Sequence, residues 1–338
     1  MTKPIDRVNW GIIGCGDVTE VKSGPAFNRV KNSNLLAVMR RTTEKAQDYA
    51  KRHGVPKVYD DADKLIRDPD INAVYIATPP DSHAKYAVMA AQAGKHIYVE
   101  KPMALNFTEC QRMMEAAEKA GVSLFVAYYR RCLHSFVKIK EWVDGGTIGT
   151  PRLANIRLVK PLFKKKSETD DLPWRFKPEI SGGGLFVDLG SHQLDYLDYL
   201  FGPVLSVKSL ALNQAGIYPA EDVVTACFTF ESGVAGNGIW CFTASEKNET
   251  DQVEILGSKG KITFSTFAFT PLELETARGI ETFDYPKPKH IQEPMIQTVV
   301  DELLNRGKCP STGITASRTT KIMDKILKDY QVLFSVPG

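Results

Sequence analysis

Asp188 and His192 lie four residues apart, just past Gly182-Gly183-Gly184, a spacing that one helical turn converts into a carboxyl stacked beside an imidazole. Such a pair can pass a proton to or from a bound hydroxyl or carbonyl, because an imidazole changes charge near neutral pH and a carboxyl can orient it. If Leu185 to Phe201 is helical, Asp188, His192 and Asp195 share one narrow sector. Phe186, Leu189, Leu194, Leu197, Leu200 and Phe201 fall on the other side, so the polar sector faces either water or something other than the core. Val99-Glu100-Lys101-Pro102 is a second candidate: an apolar run ends in a charged pair and a proline, and a lysine there can donate to a substrate oxygen.

Gly14-Cys15-Gly16, directly after the apolar run Val8 to Ile13, is a third. A dinucleotide pyrophosphate reaches backbone N–H groups only where no Cβ stands in the way, so Gly14 and Gly16, with Asp17 and Val18 behind them, read as a nucleotide loop. Thr19 stands where a third glycine is usual, and Gly24-Pro25 must interrupt the helix that follows. The next apolar run, Leu35 to Met39, ends in Arg40-Arg41-Thr42 instead of the acidic residue that accepts from the ribose hydroxyls of NAD. Guanidinium groups suit the 2′-phosphate of NADP, which is therefore expected ahead of NAD. Thr78-Pro79-Pro80 closes a further run and keeps its loop extended near where a nicotinamide would lie, while His83 reads as a hydrogen-bonding residue at a helix start and is counted with Thr78 and Pro79 in the cofactor site.

These groups need a scaffold, and the first third of the chain supplies one. Further buried-strand patterns at Ala73 to Ala77, His96 to Val99 and Leu124 to Ala127 alternate with helical patterns at Glu44 to His53, Ser82 to Ala93 and Phe107 to Ala120. Strand and helix in repetition predict a doubly wound parallel sheet covered on both faces. At 338 residues, 43% hydrophobic and 25% charged, the chain fits two soluble globular domains. A net charge of +3, with Lys164-Lys165-Lys166 the main basic cluster, argues against nucleic acid as a partner. Six scattered cysteines without a Cys-x-x-Cys pair point to no metal site and no disulfide framework. With no apolar run near about 18 residues, no membrane span is expected, and a reducing, cytoplasmic setting fits best.

Gly14-Cys15-Gly16, Ala77-Thr78-Pro79-Pro80-Asp81-Ser82-His83, Ala93-Gly94-Lys95-His96, Glu100-Lys101-Pro102 and Gly183-Gly184 with Asp188, Gly190, His192 and Asp195 occur in that order. In this the chain resembles the glucose-fructose oxidoreductase and inositol dehydrogenase (Gfo/Idh/MocA) family over nearly its whole length. The resemblance implies a Rossmann domain at residues 1–127. It implies a substrate-binding and oligomerisation domain at 128–338, an α/β domain with a large, mostly antiparallel open sheet, whose last helix packs back on the first. It also implies a homo-oligomer, dimer or tetramer, and a Lys101-Pro102 peptide bond that is often cis. By the same resemblance Lys101 hydrogen-bonds the reacting oxygen, His192 gives and takes the proton, Asp188 supports it, and Glu100 belongs with the cofactor site. Asp195 takes a supporting part.

Strand patterns at Leu153 to Val159, Val204 to Leu212, Val223 to Phe230, Val234 to Phe242, Gln252 to Leu256 and Lys261 to Phe264 suit such a sheet, and helices are expected at Glu293 to Arg306 and Ile314 to Phe334. Trp174-Arg175 resembles an element of sugar-reducing members such as 1,5-anhydro-D-fructose reductase, where an indole stacks on a pyranose and an arginine binds its hydroxyls; domain packing is the other role open to Trp174. Tyr129-Arg130 stands where family members often have Asn-Arg near the substrate. Lys160 to Asp171 reads as a polar loop. The expected activity is hydride transfer between nicotinamide and a sugar, keto-sugar or polyol. The alternatives are a family enzyme that recycles a tightly held cofactor, a diol dehydrogenase, or a nucleotide-sensing regulator without catalysis.

Overall fold

The computed structural model describes residues 6–164 and 171–330. Lys165 and Lys166 of the basic cluster, the rest of the expected polar loop up to residue 170, and the end of the expected last helix lie outside the described residues. The chain divides into two compact units, one formed by the chain up to Leu133 together with Pro288–Ser317, the other by His134–Lys287 and the chain from Arg318 onward.

In the first unit, short apolar runs become strands β1 (Val8–Ile13), β2 (Ser33–Met39), β3 (Lys57–Tyr59), β4 (Ala73–Ile76), β5 (His96–Val99) and β6 (Leu124–Val126). They pair in parallel in the order β3-β2-β1-β4-β5-β6. Helices α1 (Asp17–Val21), α2 (Ala26–Arg29), α3 (Thr43–His53), α4 (Ala62–Arg67), α5 (His83–Gln92) and α6 (Phe107–Ala120) supply the crossovers. Because helices cover both faces, β4 is buried at every position. β3 escaped the sequence reading, since three residues carry too little periodicity. Strand order reverses at β1 and β4, and there the carboxyl ends of neighbouring strands leave a crevice. Gly14, Arg40, Thr78 and Glu100 all fall within two residues of such an end.

The helix after the glycine loop is broken as Gly24-Pro25 demanded. α1 ends at Val21 and α2 begins at Ala26. Gly24 is compelled by contact: a Cβ there would run into the Tyr49 hydroxyl and the Thr19 carbonyl. The close approach usually given to a third loop glycine is thus made five residues later. Thr19, buried, turns its hydroxyl back to the Gly16 carbonyl at 2.7 Å.

Tyr129–Cys132, a 3₁₀ turn, groups with the Rossmann unit beyond the boundary read at residue 127, and the Arg131 guanidinium donates to the Pro310 carbonyl at 2.6 Å. The second unit holds α7 (His134–Asp144), β7 (Pro151–Pro161), α8 (Pro178–Ser181), α9 (Ser191–Phe201), β8 (Val204–Leu212), β9 (Val223–Phe230), β10 (Ala235–Ala244), β11 (Thr250–Gly257), β12 (Gly260–Phe264), β13 (Leu272–Thr276) and β14 (Gly279–Phe283). Its sheet runs β14-β13-β12-β11-β7-β10-β9-β8, antiparallel except for the β7–β10 pair. Along β9 and β10 buried and more open residues alternate, as in a sheet with one packed face. Lys160, expected in a loop, closes β7 and pairs with Glu249 at 2.6 Å. The chain then forms α10 (Glu293–Leu303) and α11 (Gly313–Leu327). The segment grouped with the Rossmann sheet is Pro288–Ser317, with α10 and the start of α11; the rest of α11 belongs to the second unit, where Ser209 donates to the Ile326 carbonyl.

Gly24→Ala should lower stability by about 1–3 kcal/mol through overpacking against Thr19 and Tyr49, read as a reduced melting temperature of the purified protein; an unchanged melting temperature contradicts the close approach.

Candidate active site

The glycine loop of the Rossmann unit suits a dinucleotide on steric grounds. Gly14 has φ +91°, and a Cβ on it would lie 2.8 Å from Thr78 Cγ2, so both conformation and packing call for glycine. Gly16 differs: a Cβ there would come no nearer than 3.9 Å to its surroundings. The protein's own packing does not require this glycine, and its backbone stays open to a ligand. Asp17 and Val18 begin α1 directly behind it. Arg40 Nη1 donates to the Cys15 carbonyl at 3.2 Å, which brings the cation from the end of β2 onto the loop, while Arg41 is exposed.

Pro79 is extended, as expected, and precedes a 3₁₀ turn at Pro80–Ser82 in which Ser82 Oγ donates to Thr78 Oγ1 at 2.7 Å. His83 is buried at the start of α5, but it does not cap the helix. Its ring lies between two backbone carbonyls, Thr78 at 2.8 Å and Pro102 at 3.0 Å, and so joins the loops after β4 and β5. Burial lowers its pKa below the ordinary histidine value, against the two carbonyls and Glu100, which favour the charged ring. The Lys101-Pro102 peptide bond is cis. Glu100 is 7% exposed, and its carboxyl accepts from Tyr75, from Gln292 Nε2 at 2.6 Å and from the Lys101 backbone N–H at 3.2 Å. Tyr129 and Arg130 are buried, with the guanidinium 5.1 Å from the tyrosine ring centroid.

In the second unit the helix carrying Asp188 and His192 opens with a π-helical turn, Phe186–Gly190, which α9 continues. Its wider turn changes the rotation between Asp188 and His192 from the regular value assumed for the sequence. The polar stripe is not a solvated face. Every residue from Ser191 to Asp198 is buried, with His192 3% exposed. The His192 ring meets Phe267 edge to face at 5.9 Å, and Asp195 accepts from Thr319 at 3.4 Å. Arg175, its guanidinium 4.4 Å from the Trp174 ring centroid, reaches Asp188 at 3.3 Å. The Trp-Arg element thus meets the acid of the Asp-His pair.

The three glycines are explained by what lies beneath them. Gly182 takes φ +83°, a Cβ at Gly183 would strike Val187, and one at Gly184 would lie 2.8 Å from Ala220 Cβ. That closeness lets the Gly184 N–H donate to Glu221 Oε1 at 2.8 Å. Glu221 is 1% exposed, and burial pushes its pKa up to about 7 against the opposing backbone hydrogen bonds. The sequence reading passed over it, although Glu221-Asp222 just before the apolar run of β9 is a signal. It also missed Gln193, which accepts from Trp240 Nε1 at 2.7 Å and donates to Thr266 at 3.1 Å. Asp251 accepts from the backbone N–H groups of Thr266, Phe267 and Ala268, and so shapes the turn that places Phe267 against His192. No local pattern marks an acid for that task.

A six-stranded parallel sheet in this order, with an open glycine loop at its switch point, defines a dinucleotide-binding fold. Residues 8–128 match the oxidoreductase family with an NAD-binding Rossmann fold, and residues 136–263 match the GFO/IDH/MocA C-terminal domain. The chain belongs to the Gfo/Idh/MocA family of oxidoreductases. It is 41% identical over 318 residues, covering 94% of this chain and 98% of the relative, to "Oxidoreductase P35" of Formosa agariphila. It is 29% identical to the myo-inositol 2-dehydrogenase of Thermotoga maritima, covering 80% and 78% of the two chains. Its fold matches the aldose-aldose oxidoreductase of Caulobacter crescentus with a TM-score of 0.85 at 23% identity, covering 96% and 98%. Among the described residues no helix is long and apolar enough to cross a membrane.

Burial of Glu221 carries a pH signature. An acid whose folded pKa is raised binds a proton more readily folded than unfolded between its ordinary value of 4.5 and about 7. Stability therefore falls as pH rises through that window, by on the order of 3 kcal/mol from this group. Glu221→Gln keeps an acceptor for Gly184 and should flatten the dependence of melting temperature on pH between 4.5 and 7; an unaltered slope rules out the titration.

Proposed function

We propose that this enzyme transfers hydride between NADP, which it prefers to NAD, and a sugar, keto-sugar or polyol carbon. The observation that carries the proposal is that one chain holds both an open glycine loop with Lys101 just past β5 in its first unit and, in its second, Asp188 in contact with the Trp174-Arg175 element and one turn before the buried His192. The nicotinamide supplies the hydride or accepts it. In alcohol oxidation the hydroxyl must lose its proton as hydride leaves carbon, and His192 takes that proton; in carbonyl reduction it returns it. Asp188 orients the imidazole and favours its charged form, and the Lys101 ammonium stabilises negative charge growing on the reacting oxygen. Arg175 and the face of Trp174 suit the hydroxyls and the apolar face of a sugar ring. Tyr129 and Arg130 belong to the substrate site on the strength of the family resemblance. The myo-inositol 2-dehydrogenase relative supports a polyol-like substrate.

NADP preference is supported by Arg40 and Arg41 in place of an acid after β2, with Arg40 already on the glycine loop. A homo-oligomer in the cytoplasm completes the proposal. Leu210, Thr225, Ile239 and Arg157 are register neighbours on the open face of the second sheet, and Ile239 is 44% exposed. That face is the proposed contact between copies.

Against a panel of sugars, polyols and keto-sugars, followed by nicotinamide absorbance, Lys101→Met and His192→Ala should each lower turnover by about 10²–10⁴-fold with nucleotide binding retained. Wild-type turnover in either variant removes that residue from the mechanism. Arg40→Ala with Arg41→Ala should raise the NADP Kd about 10–100-fold and leave that for NAD nearly unchanged; equal wild-type affinities for the two cofactors end the NADP preference. Light scattering should give a dimer or tetramer that Ile239→Glu dissociates, and a wild-type monomer contradicts the oligomer.

A further inference from the structure

Between the glycine loop and Lys101 lies a buried polar network that takes no part in the chemistry proposed above. Its centre is the Glu100 carboxyl. The Tyr75 hydroxyl donates to Glu100 Oε1, and Gln292 Nε2 donates to the same oxygen at 2.6 Å. Glu100 Oε2 accepts from the Lys101 backbone N–H at 3.2 Å. Tyr75 and Gln292 are fully buried. Gln292 is held from two further directions: its Oε1 accepts from the Tyr98 hydroxyl at 3.0 Å, and its backbone N–H donates to the Lys22 carbonyl at 3.1 Å. Ser23 Oγ lies 3.1 Å from the Tyr75 hydroxyl and 3.3 Å from the Val18 carbonyl. Lys22 and Val18 sit at the end and near the start of α1, directly behind the glycine loop.

Proton counting orders these contacts. A tyrosine has one hydroxyl proton; given to Glu100 Oε1, it leaves Ser23 to donate to Tyr75 or to Val18. Two donors from different parts of the chain therefore fix one carboxyl oxygen, which leaves the other aimed at Lys101. A buried carboxyl without them would be driven to turn toward water or another partner, because an unsatisfied buried acceptor is costly. Tyr75 belongs to β4, and Gln292 comes from the returning segment 194 residues after Tyr98.

We propose that Tyr75 and Gln292 are positioning residues for Lys101: they lock the Glu100 carboxyl, and Glu100 holds the lysine backbone in register at the end of β5. The inference rests on the catalytic role assigned to Lys101 above. A lysine that must meet a reacting oxygen gains nothing from a mobile backbone, and displacement of about 1 Å can cost 10²-fold in rate. The link to α1 is separate, running through the Gln292 backbone N–H on the Lys22 carbonyl and Ser23 on the Val18 carbonyl, so side-chain changes at Tyr75 and Gln292 leave it in place.

The test reads Lys101 directly. In protein labelled with [15N]lysine, the hydrogen exchange rate of the Lys101 amide should rise about tenfold in Tyr75→Phe and in Gln292→Met, as expected for a weakened hydrogen bond. Each variant should bind NADP within about twofold of the wild type. Tyr75→Phe removes one oxygen without changing shape, so it carries the test if Gln292→Met fails to fold. On the substrate panel, Tyr75→Phe should lower kcat in the wild-type background and cause no further loss in Lys101→Met, whereas a merely structural role would lower both. Exchange within twofold of wild type in the folded variants overturns the positioning role, whatever the turnover. Faster exchange accompanied by a fully active Lys101→Met overturns instead the catalytic role of the lysine, and the proposal with it.

Discussion

The Glu100 carboxyl cannot be buried without partners, and the Rossmann unit is organised around that constraint. Its donors come from β4, from the segment before α10 and from the next residue of its own strand end. Satisfying them holds four parts of the unit in fixed relation: the strand that carries Lys101, its neighbour β4, α10 and, through Lys22 and Ser23, the helix behind the glycine loop. The buried His83 ring fills the space between the Thr78 and Pro102 carbonyls and, as a neutral imidazole, donates to one of them. The residues at the carboxyl ends of β4 and β5 are therefore held by hydrogen bonds as well as by the sheet.

The second unit uses the same principle with a different acid. Glu221 lies under the triple glycine, and the absence of side chains at Gly183 and Gly184 allows the backbone to come close enough for Gly184 to donate to it. The π-helical turn begins immediately beyond, and α9 is sealed by Gln193 on Trp240 and by Asp198 on Arg318. A helix anchored on so many sides can bury the His192 imidazole and keep it oriented. Arg175 brings the Trp-Arg element to Asp188, so that acid meets both the helix and the neighbouring turn.

Much of the scaffold was legible in local pattern. Parallel strands covered on both faces read as continuous apolar runs, and β1 and β5 occupy the ranges expected from them. Gly24-Pro25 broke the first helix because proline and close contact act locally. β13 and β14 were passed over: β13 does alternate buried Leu272 and Leu274 with exposed Glu273 and Glu275, but over five residues only, and β14 is almost wholly exposed. The polar stripe of α9 was open to a solvated reading because periodicity reports which residues share a side, and cannot say that both sides are covered.

The sequence by itself determined the alternation of strand and helix, the glycine loop, the arginines after β2 and the motif order that identifies the family, because each is written in neighbouring residues. Only the tertiary structure decided that Glu100 answers to Tyr75 and Gln292, that Glu221 underlies the glycines and that Asp251 shapes the turn facing His192. The physical reason is that a buried polar group must be satisfied by whichever donor the fold brings to it. Gln292 stands 192 residues from Glu100, and no local pattern records that meeting.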